Sequence, residues 1–261
     1  MLNQFKLFDA HLHIIDSRFP LTENQGYLPE CFNAQDYLLR MHEYDLCGGV
    51  VVSASFQSFD QSYLLDALRT LGPSYVGVTQ LPFSTSDTQI FELNQLGVRA
   101  VRFNLLRGGS EDIRYLAQMA HRVYELVGWH VELYLDSASL PEIMTTILSL
   151  PRVSIDHLGI SQAGFHHILR LAQHGVRIKA CGFSRGDLKV HSALLELYAV
   201  NPASLMFGSD LPCTRAPVVY SDRDFALVFE TLGDKAARRV FSQNAIEFYT
   251  PNSSMSSNNS G

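Results

Sequence analysis

The chain of 261 residues contains no run of about 20 apolar residues, so nothing in it reads as a membrane-spanning helix. It also lacks any concentration of basic residues. Twenty Lys and Arg stand against 26 Asp and Glu, a net charge of −6, and the basic footprint that nucleic acid requires is missing. An anionic ligand would therefore have to be held by a few locally placed arginines. The four cysteines (Cys31, Cys47, Cys181 and Cys213) show no metal-ligand spacing and are expected as free thiols in a reducing compartment. The beginning of the chain lacks the apolar core and small-residue cleavage site of a secretory signal, which makes a cytoplasmic protein the expectation. The turn after the first candidate strand has no glycine-rich phosphate loop of the kind an open nucleotide-binding sheet usually offers.

What is present is enough apolar material, 46% of residues, to fill a sizeable core. Short apolar runs alternate with amphipathic stretches, the pattern of parallel βα units. Candidate strands are 7–15, 49–54, 75–81, 99–105, 130–135, 153–157, 176–181 and 205–208. Helix-like stretches fall near 35–46, 61–71, 86–96, 112–127, 139–149, 163–174, 188–200 and 221–232, with a last helix over 234–248. The length matches the ~250 residues typical of an eightfold barrel. The expectation is a single-domain (β/α)8 TIM barrel over residues 1–250, followed by a disordered polar tail over 251–261. One long irregular connection, 16–33, follows the first strand; on a barrel it would lie at the catalytic face, where such a loop often serves as a lid.

Chemistry-bearing residues cluster at the C-terminal ends of three candidate strands. Strand side chains alternate, so in Asp9-Ala10-His11-Leu12-His13 the two imidazoles share a face. Leu7, Asp9, His11 and His13 are expected to face the lumen, with Phe8, Ala10 and Leu12 toward the helices. Two imidazoles at a barrel mouth serve little structural purpose, although hydrogen-bonded core histidines are the bland alternative. Asp156-His157-Leu158-Gly159 ends the sixth strand, and alternation does not decide which of Asp156 and His157 points inward. Gly208-Ser209-Asp210 ends the eighth, where a carboxylate reads either as catalytic or as a helix cap. In the fourth strand Val101, Phe103 and Leu105 form the apolar face, which turns Arg102 into the lumen. Buried there it needs an anion, either a ligand carboxylate or an internal partner such as Glu132. Lys179 and Cys181 share one face of the seventh strand, and Asp9 is a candidate partner for the lysine. His42, His121, His166, His167, His174 and His191 fall in helix-like stretches and are expected at the surface or in packing.

A His-X-His after strand one, a histidine after strand six and a Gly-Ser-Asp-X-Pro after strand eight resemble the amidohydrolase superfamily. Within it the chain is most similar to 2-pyrone-4,6-dicarboxylate lactonases and related sugar lactonases, over nearly the whole chain. The resemblance implies a hydrolase in which Asp210 is the general base that activates water. It implies that His11, His13 and His157 polarise the ester carbonyl, and that Arg102, Tyr134 and Arg185 bind a substrate carboxylate. Metal-dependent relatives add a strand-five histidine or a strand-four lysine to His-X-His and the aspartate. Here Tyr134 and Arg102 stand in those strands, so the resemblance implies no metal cofactor; were zinc or another divalent ion bound, His11, His13 and Asp210 would be its ligands. The pyrone lactonases are richer in active-site arginine. Ile160 stands near one such position, and Arg107 could compensate. The leading expectation is opening of a small carboxylate-bearing lactone without metal. The alternatives are a divalent-metal amidohydrolase or decarboxylase, and a non-catalytic barrel that binds carboxylates. The expected partner is a small-molecule carboxylate rather than nucleic acid or membrane, and exposed barrel helices leave room for a homo-oligomer.

Overall fold

Val50-Val51-Val52 and similar β-branched runs suit a pleated surface buried on both faces, and each becomes a strand of one parallel sheet. The computed structural model describes residues 2–250. Its strands are β1 (Lys6–Leu12), β2 (Asp45–Val52), β3 (Tyr75–Thr79), β4 (Val98–Asn104), β5 (His130–Tyr134), β6 (Val153–Ile155), β7 (Arg177–Ala180) and β8 (Leu205–Phe207). They are ordered β1 to β8 with every neighbouring pair parallel, a single (β/α)8 barrel. The expected tail over 251–261 lies outside the described residues. Among the described residues no helix is long and apolar enough to cross a membrane.

Between the strands run α1 (Ala34–Arg40), α2 (Ser62–Leu71), α3 (Asp87–Gln95), α4 (Leu116–Val127), α5 (Leu140–Ser149), α6 (Phe165–Gln173), α7 (Val190–Val200) and α8 (Asp222–Leu232). Three of these start on reciprocal caps, Asn33 with Asp36, Ser86 with Gln89 and Ser221 with Asp224, which satisfy otherwise orphaned backbone N–H groups. The final stretch, expected as one helix, is α9 (Asp234–Arg238), a π-helical turn at Arg239–Gln243, and α10 (Asn244–Tyr249). The first helix is shorter than expected. It ends at Arg40, and Asp45 and Leu46 instead pair with Lys6 and Leu7 in the sheet.

The core has two main parts, with a small third cluster of Ile15, Ala54 and Phe56 near the mouth. One lies between sheet and helices and includes Leu7, Leu12, Val51, Val101 and Phe103. The other fills the lower lumen with Phe8, Ala10, Val50, Val52, Val76, Val78, Ala100 and Met206, and α10 closes it from below with Phe248 and Tyr249. Each Val, Leu, Phe or Met among these contributes about 1.5–3 kcal/mol when fully buried. Where β8 meets β1 the seam is fastened by two backbone bonds of 2.7 Å, Asp210 N–H to the His11 carbonyl and His13 N–H to that of Leu211. Gly208 permits this approach, since a Cβ there would stand 2.7 Å from Cβ of His11. The seam therefore carries β1 and the Asp210 turn as one unit at the mouth.

Candidate active site

The face assignment along β1 needs one correction. Phe8 and Ala10 point into the lumen and Leu7 toward the helices, opposite to simple alternation. The register against β2 slips between Asp9 and Leu12, so a bulge reverses the parity at that point. Beyond it His11 and His13 face inward as expected. Asp9 does not; it sits behind the seam, where its carboxylate accepts from Ser209 Oγ at 2.6 Å, Ser209 N–H at 2.8 Å and the Tyr37 hydroxyl at 3.2 Å. Burial pushes the Asp9 carboxyl up to about 6 despite these donors.

At the end of β6 both candidate residues reach the site. Asp156 continues the inward parity. His157 then adopts φ 53° and Leu158 φ 54°, left-handed values uncommon outside glycine, and the imidazole turns back over the rim. Its ring centroid lies 4.9 Å from that of His11 and 4.9 Å from that of Tyr134. Asp210 likewise has φ 60°. Three catalytic candidates from three strand ends thus converge with His13, as expected, and Asp210 is not spent on a helix terminus.

One hydrogen bond fixes the proton position on His13. His13 Nδ1 is 2.7 Å from the Val52 carbonyl, which can only accept, so Nδ1 carries the proton. His11 Nε2 faces His13 Nε2 at 3.3 Å, and His11 Nδ1 lies 3.2 Å from the Lys179 ammonium. Asp156 Oδ1 stands 3.3 Å from the same His11 Nδ1, so that nitrogen meets both a donor and an acceptor. With Lys179 as its donor, a chain runs from Lys179 to His11 Nδ1, from His11 Nε2–H to His13 Nε2, and from His13 Nδ1–H to Val52; with Asp156 as its acceptor, Nδ1 carries the proton instead. Burial holds the His11 imidazole well below its ordinary range, against the pull of Asp156 and with the help of Lys179. Burial also lowers His157 to about 3, so its ring is neutral. The Cys181 sulfur is 3.2 Å from His157 Nδ1, and burial keeps that thiol protonated. The contact admits the S–H as donor to Nδ1, the arrangement in which the N–H of His157 is Nε2–H.

Below the histidines lies a buried network of four charges. Arg102 donates to Asp156 through Nε at 3.2 Å and Nη2 at 2.6 Å, and to the Ser53 carbonyl at 2.7 Å. Its internal partner is thus Asp156, with Glu132 at 3.8 Å. The partner of Lys179 is Glu132 at 2.5 Å, not Asp9, and Tyr249 donates to the same carboxylate at 3.1 Å. Burial, with the like charge of Asp156, pushes Glu132 up to about 7 although Lys179 and Arg102 oppose it.

Above the histidines a small cleft opens to solvent, lined by His13, Ser55, Asn104, Tyr134 and His157 and by four arginines, Arg102, Arg107, Arg185 and Arg215. Arg185 donates to Asp210 Oδ2 at 2.6 Å. Burial opposes the charge of Asp210, yet Arg185, and after it His157, hold the carboxyl well below the ordinary carboxylate range. The other oxygen, Oδ1, is buried without a hydrogen-bond partner, 3.6 Å from His13 Nε2 and 3.8 Å from His11 Nε2. Two groups of side chains have the composition and spacing of metal ligands: His11, His157 and Asp210, and His11, Glu132 and Asp156. In the second, the Lys179 ammonium already stands among the three.

The family model for amidohydrolases matches residues 8–250. The chain belongs to the amidohydrolase family. Within that family it is 34% identical over 166 residues to a 2-pyrone-4,6-dicarboxylate hydrolase of Comamonas testosteroni. That alignment covers 60% of this chain and 54% of the relative, so the match spans about half the length of that protein. It is 26% identical over 227 residues to a 4-sulfomuconolactone hydrolase of Rhizobium radiobacter, covering 78% of this chain and 75% of the other. Among solved structures, a Pseudomonas putida protein provisionally named as a 2-pyrone-4,6-dicarboxylic acid hydrolase superposes with a TM-score of 0.76 at 28% identity, over 95% of this chain and 98% of that one.

The sequence alone provides no reason to single out Arg215; it offers Glu132 only as a possible partner of Arg102, Cys181 only by the face it shares with Lys179, and does not choose between Asp156 and His157. Asp156 and Glu132 carry a signal in hindsight, since each shares the inward parity of its strand and an acid there needs a cation. Arg215 has no such signal, because its place depends on the path of a loop. The remaining histidines, from His42 to His191, lie on helices and turns at or near the surface, while His130 is buried at the far end of β5 against Phe248 and Tyr249.

Proposed function

We propose that the cleft hydrolyses a small carboxylate-bearing lactone, of the 2-pyrone-4,6-dicarboxylate type named for its relatives, by attack of water with Asp210 as base. The observation that carries this reading is the unpartnered Oδ1 of Asp210, buried beside the imidazoles of His11 and His13, the second of which lines the arginine-rich cleft. A water held by Oδ1 loses its proton to that oxygen as its own oxygen bonds to the lactone carbonyl carbon. The tetrahedral oxyanion then accepts from His157 Nε2–H, with His11 and His13 at its side; one such preorganised donor is worth about 10²–10³ in rate. On collapse the ring C–O bond breaks and the proton on Asp210 passes to the leaving oxygen. Tyr134 and Arg185 are the groups for the substrate carboxylate, and Arg102 lends its cation from below. A carboxylate that engages Arg185 competes with Asp210 for that guanidinium, which raises the basicity of Asp210 when substrate is bound.

The reaction so written is metal-independent. On distance alone His11, His13 and Asp210 could surround a small cation, but the charges around them oppose it. Arg185 already compensates Asp210 at 2.6 Å, and Lys179 stands 3.2 Å from His11 Nδ1, so a divalent ion would enter beside two fixed positive charges. A zinc site also calls for a carboxylate or carbonyl behind each histidine; His13 has the Val52 carbonyl and His11 has Asp156 at 3.3 Å, but the Lys179 ammonium stands at 3.2 Å from the same His11 nitrogen.

Asp210→Asn tests the base. Turnover of lactones should fall by roughly 10²–10⁴ while the thermal transition is kept; undiminished turnover refutes the assignment. Elemental analysis of active enzyme purified without chelator, and assay after exhaustive chelation, test the metal. Near-stoichiometric metal with activity lost on its removal would replace this reading by the metal-dependent one.

A further inference from the structure

Asp9 stands apart from the other fully buried acids of the barrel. Glu132, Asp156 and Asp210 each face a lysine or an arginine at 2.5–2.6 Å. Among the described residues Asp9 faces no cation, only N–H and O–H donors: Ser209 Oγ at 2.6 Å, Ser209 N–H at 2.8 Å, the Tyr37 hydroxyl at 3.2 Å and His11 N–H at 3.3 Å. A carboxylate offers about four acceptor positions, and all are used here. Three of the four donors belong to His11 and to Ser209, the residue before Asp210. The turn they serve is strained. Asp210 adopts φ 60°, a left-handed conformation that costs on the order of 1–3 kcal/mol outside glycine and persists only where its surroundings over-determine it. Three consecutive N–H groups do so: that of Asp210 donates to the His11 carbonyl at 2.7 Å, that of Ser209 to Asp9, and that of Leu211 to Ser209 Oγ at 3.2 Å. The first depends on main chain alone. The two that flank it depend on the Asp9 carboxylate and on the Ser209 hydroxyl that it fixes. A relaxed turn would re-aim the Cα–Cβ bond of Asp210, and with it Oδ1, which stands 3.6 Å from His13 Nε2 and 3.8 Å from His11 Nε2.

We propose that Asp9 is a positioning residue of the active site: through Ser209 it holds the strained turn that aims Asp210, and through His11 N–H it ties that turn to the strand of the neighbouring imidazoles. The inference rests on the reading of Asp210 as the base. Asp9 touches neither substrate nor reacting atoms; it lies behind the seam of β1 and β8 and acts through the direction of one side chain. A misplacement on the scale of 1 Å can cost about 10²-fold in rate. The ligand's carboxylate, by contrast, is met by Arg185 and Tyr134 from other strands. The signature is therefore a loss in kcat with KM kept.

A double-mutant cycle tests it, read as turnover of 2-pyrone-4,6-dicarboxylate or, failing that, of another carboxylate-bearing lactone. Ser209→Ala deletes the hydroxyl and keeps the N–H bond to Asp9; Asp9→Asn keeps one acceptor oxygen and loses the other. Each should lower kcat about 10- to 10²-fold with KM within about threefold. Ser209→Ala is the milder cut and carries the test should Asp9→Asn fail to fold. Tyr37→Phe removes a bond to the same carboxylate from α1 without touching the turn, and should keep kcat within about twofold. In the Asp210→Asn background Ser209→Ala should cost less than about threefold more, since a base that is absent cannot be misaimed. Three results refute the inference while the base reading stands. They are an unchanged kcat in Ser209→Ala and Asp9→Asn where Asp210→Asn lowers turnover, an equal cost of Ser209→Ala in both backgrounds, or a loss in Tyr37→Phe as large as in Ser209→Ala. Undiminished turnover in Asp210→Asn, or no turnover of any lactone by the unmodified protein, refutes the base reading and the inference with it.

Discussion

The lower lumen and the mouth of the barrel each hold four ionisable groups of mixed sign, and they use them in opposite ways. Below, Arg102, Lys179, Glu132 and Asp156 are fully buried and paired across strands β4 to β7 at 2.5–3.8 Å. Above, Arg185 and Asp210 form one pair, while Arg107 and Arg215 have no counter-ion among the described residues. A closed network of balanced charge fixes geometry; here it orients His11 from behind through Lys179. An excess of positive charge in a cleft open to solvent, on a chain of net charge −6, draws in an anion. The same residue types therefore serve as scaffold in one layer and as recognition in the next, and the difference is whether a partner is already present.

The sharpest way to break this contrast is to remove one cation from each layer. Arg102→Met should cost about 3–5 kcal/mol of stability in urea denaturation, because it strands Asp156 in a dry interior. Arg107→Gln should cost less than about 0.5 kcal/mol, since no buried anion depends on it. Comparable losses would mean that the lower network is not the scaffold described.

A second prediction concerns pH. Asp9 and Glu132 have folded-state values raised to about 6 and about 7 from ordinary values of 3.8 and 4.5, chiefly by burial. For a raised carboxyl the folded state holds its proton longer than the unfolded chain. Its stabilising share is complete below the ordinary value and is lost as pH rises through the folded one. Asp210 has the opposite sign, but its window lies below pH 3.8. His11, His130 and His157, held neutral by burial, also have the opposite sign, and their window, up to the ordinary imidazole value of 6.5, overlaps that of the two acids. The share of Glu132 is therefore read by difference: Glu132→Gln should gain on the unmodified protein as pH rises from about 4.5 to about 7, by on the order of 3 kcal/mol; a difference that does not change with pH across that window would contradict the burial of this acid.

The barrel was legible because parallel βα units impose two periodicities that the sequence displays openly. The position of His11 and His13 was legible from alternation too, but alternation carried backward fails at the bulge, which is why Asp9 and Leu7 were assigned to the wrong face. His157 and Asp156 could not be separated by pattern, because the answer is a left-handed turn at a residue other than glycine. The pairing of Lys179 with Glu132 rather than Asp9 depends on which side chains meet across a closed lumen. That distance has no trace in local sequence, and the same holds for Arg215 beside the loop from Thr22 to Tyr27.

The smallest predicted effect lies where the two layers touch, at His157. Its Nδ1 lies 3.2 Å from the Cys181 sulfur, and the ring is wedged so closely that a Cβ on Gly182 would stand 2.6 Å from that nitrogen. With the thiol as donor, the tautomer that leaves Nε2–H for the oxyanion is favoured, and Cys181 then acts as a positioning residue. A single hydrogen bond of this kind is worth about 0.5–1.5 kcal/mol, so Cys181→Ala should lower kcat roughly 2- to 10-fold with little change in KM. Cys181→Ser, which keeps a donor, should recover most of the loss. Nitrogen-15 shifts of His157 separate this role from simple packing, since Cys181→Ala should move the ring toward a mixture of tautomers and Cys181→Ser should not. Unchanged shifts together with a lowered kcat would assign the effect to packing and leave the tautomer to be set from within the cleft.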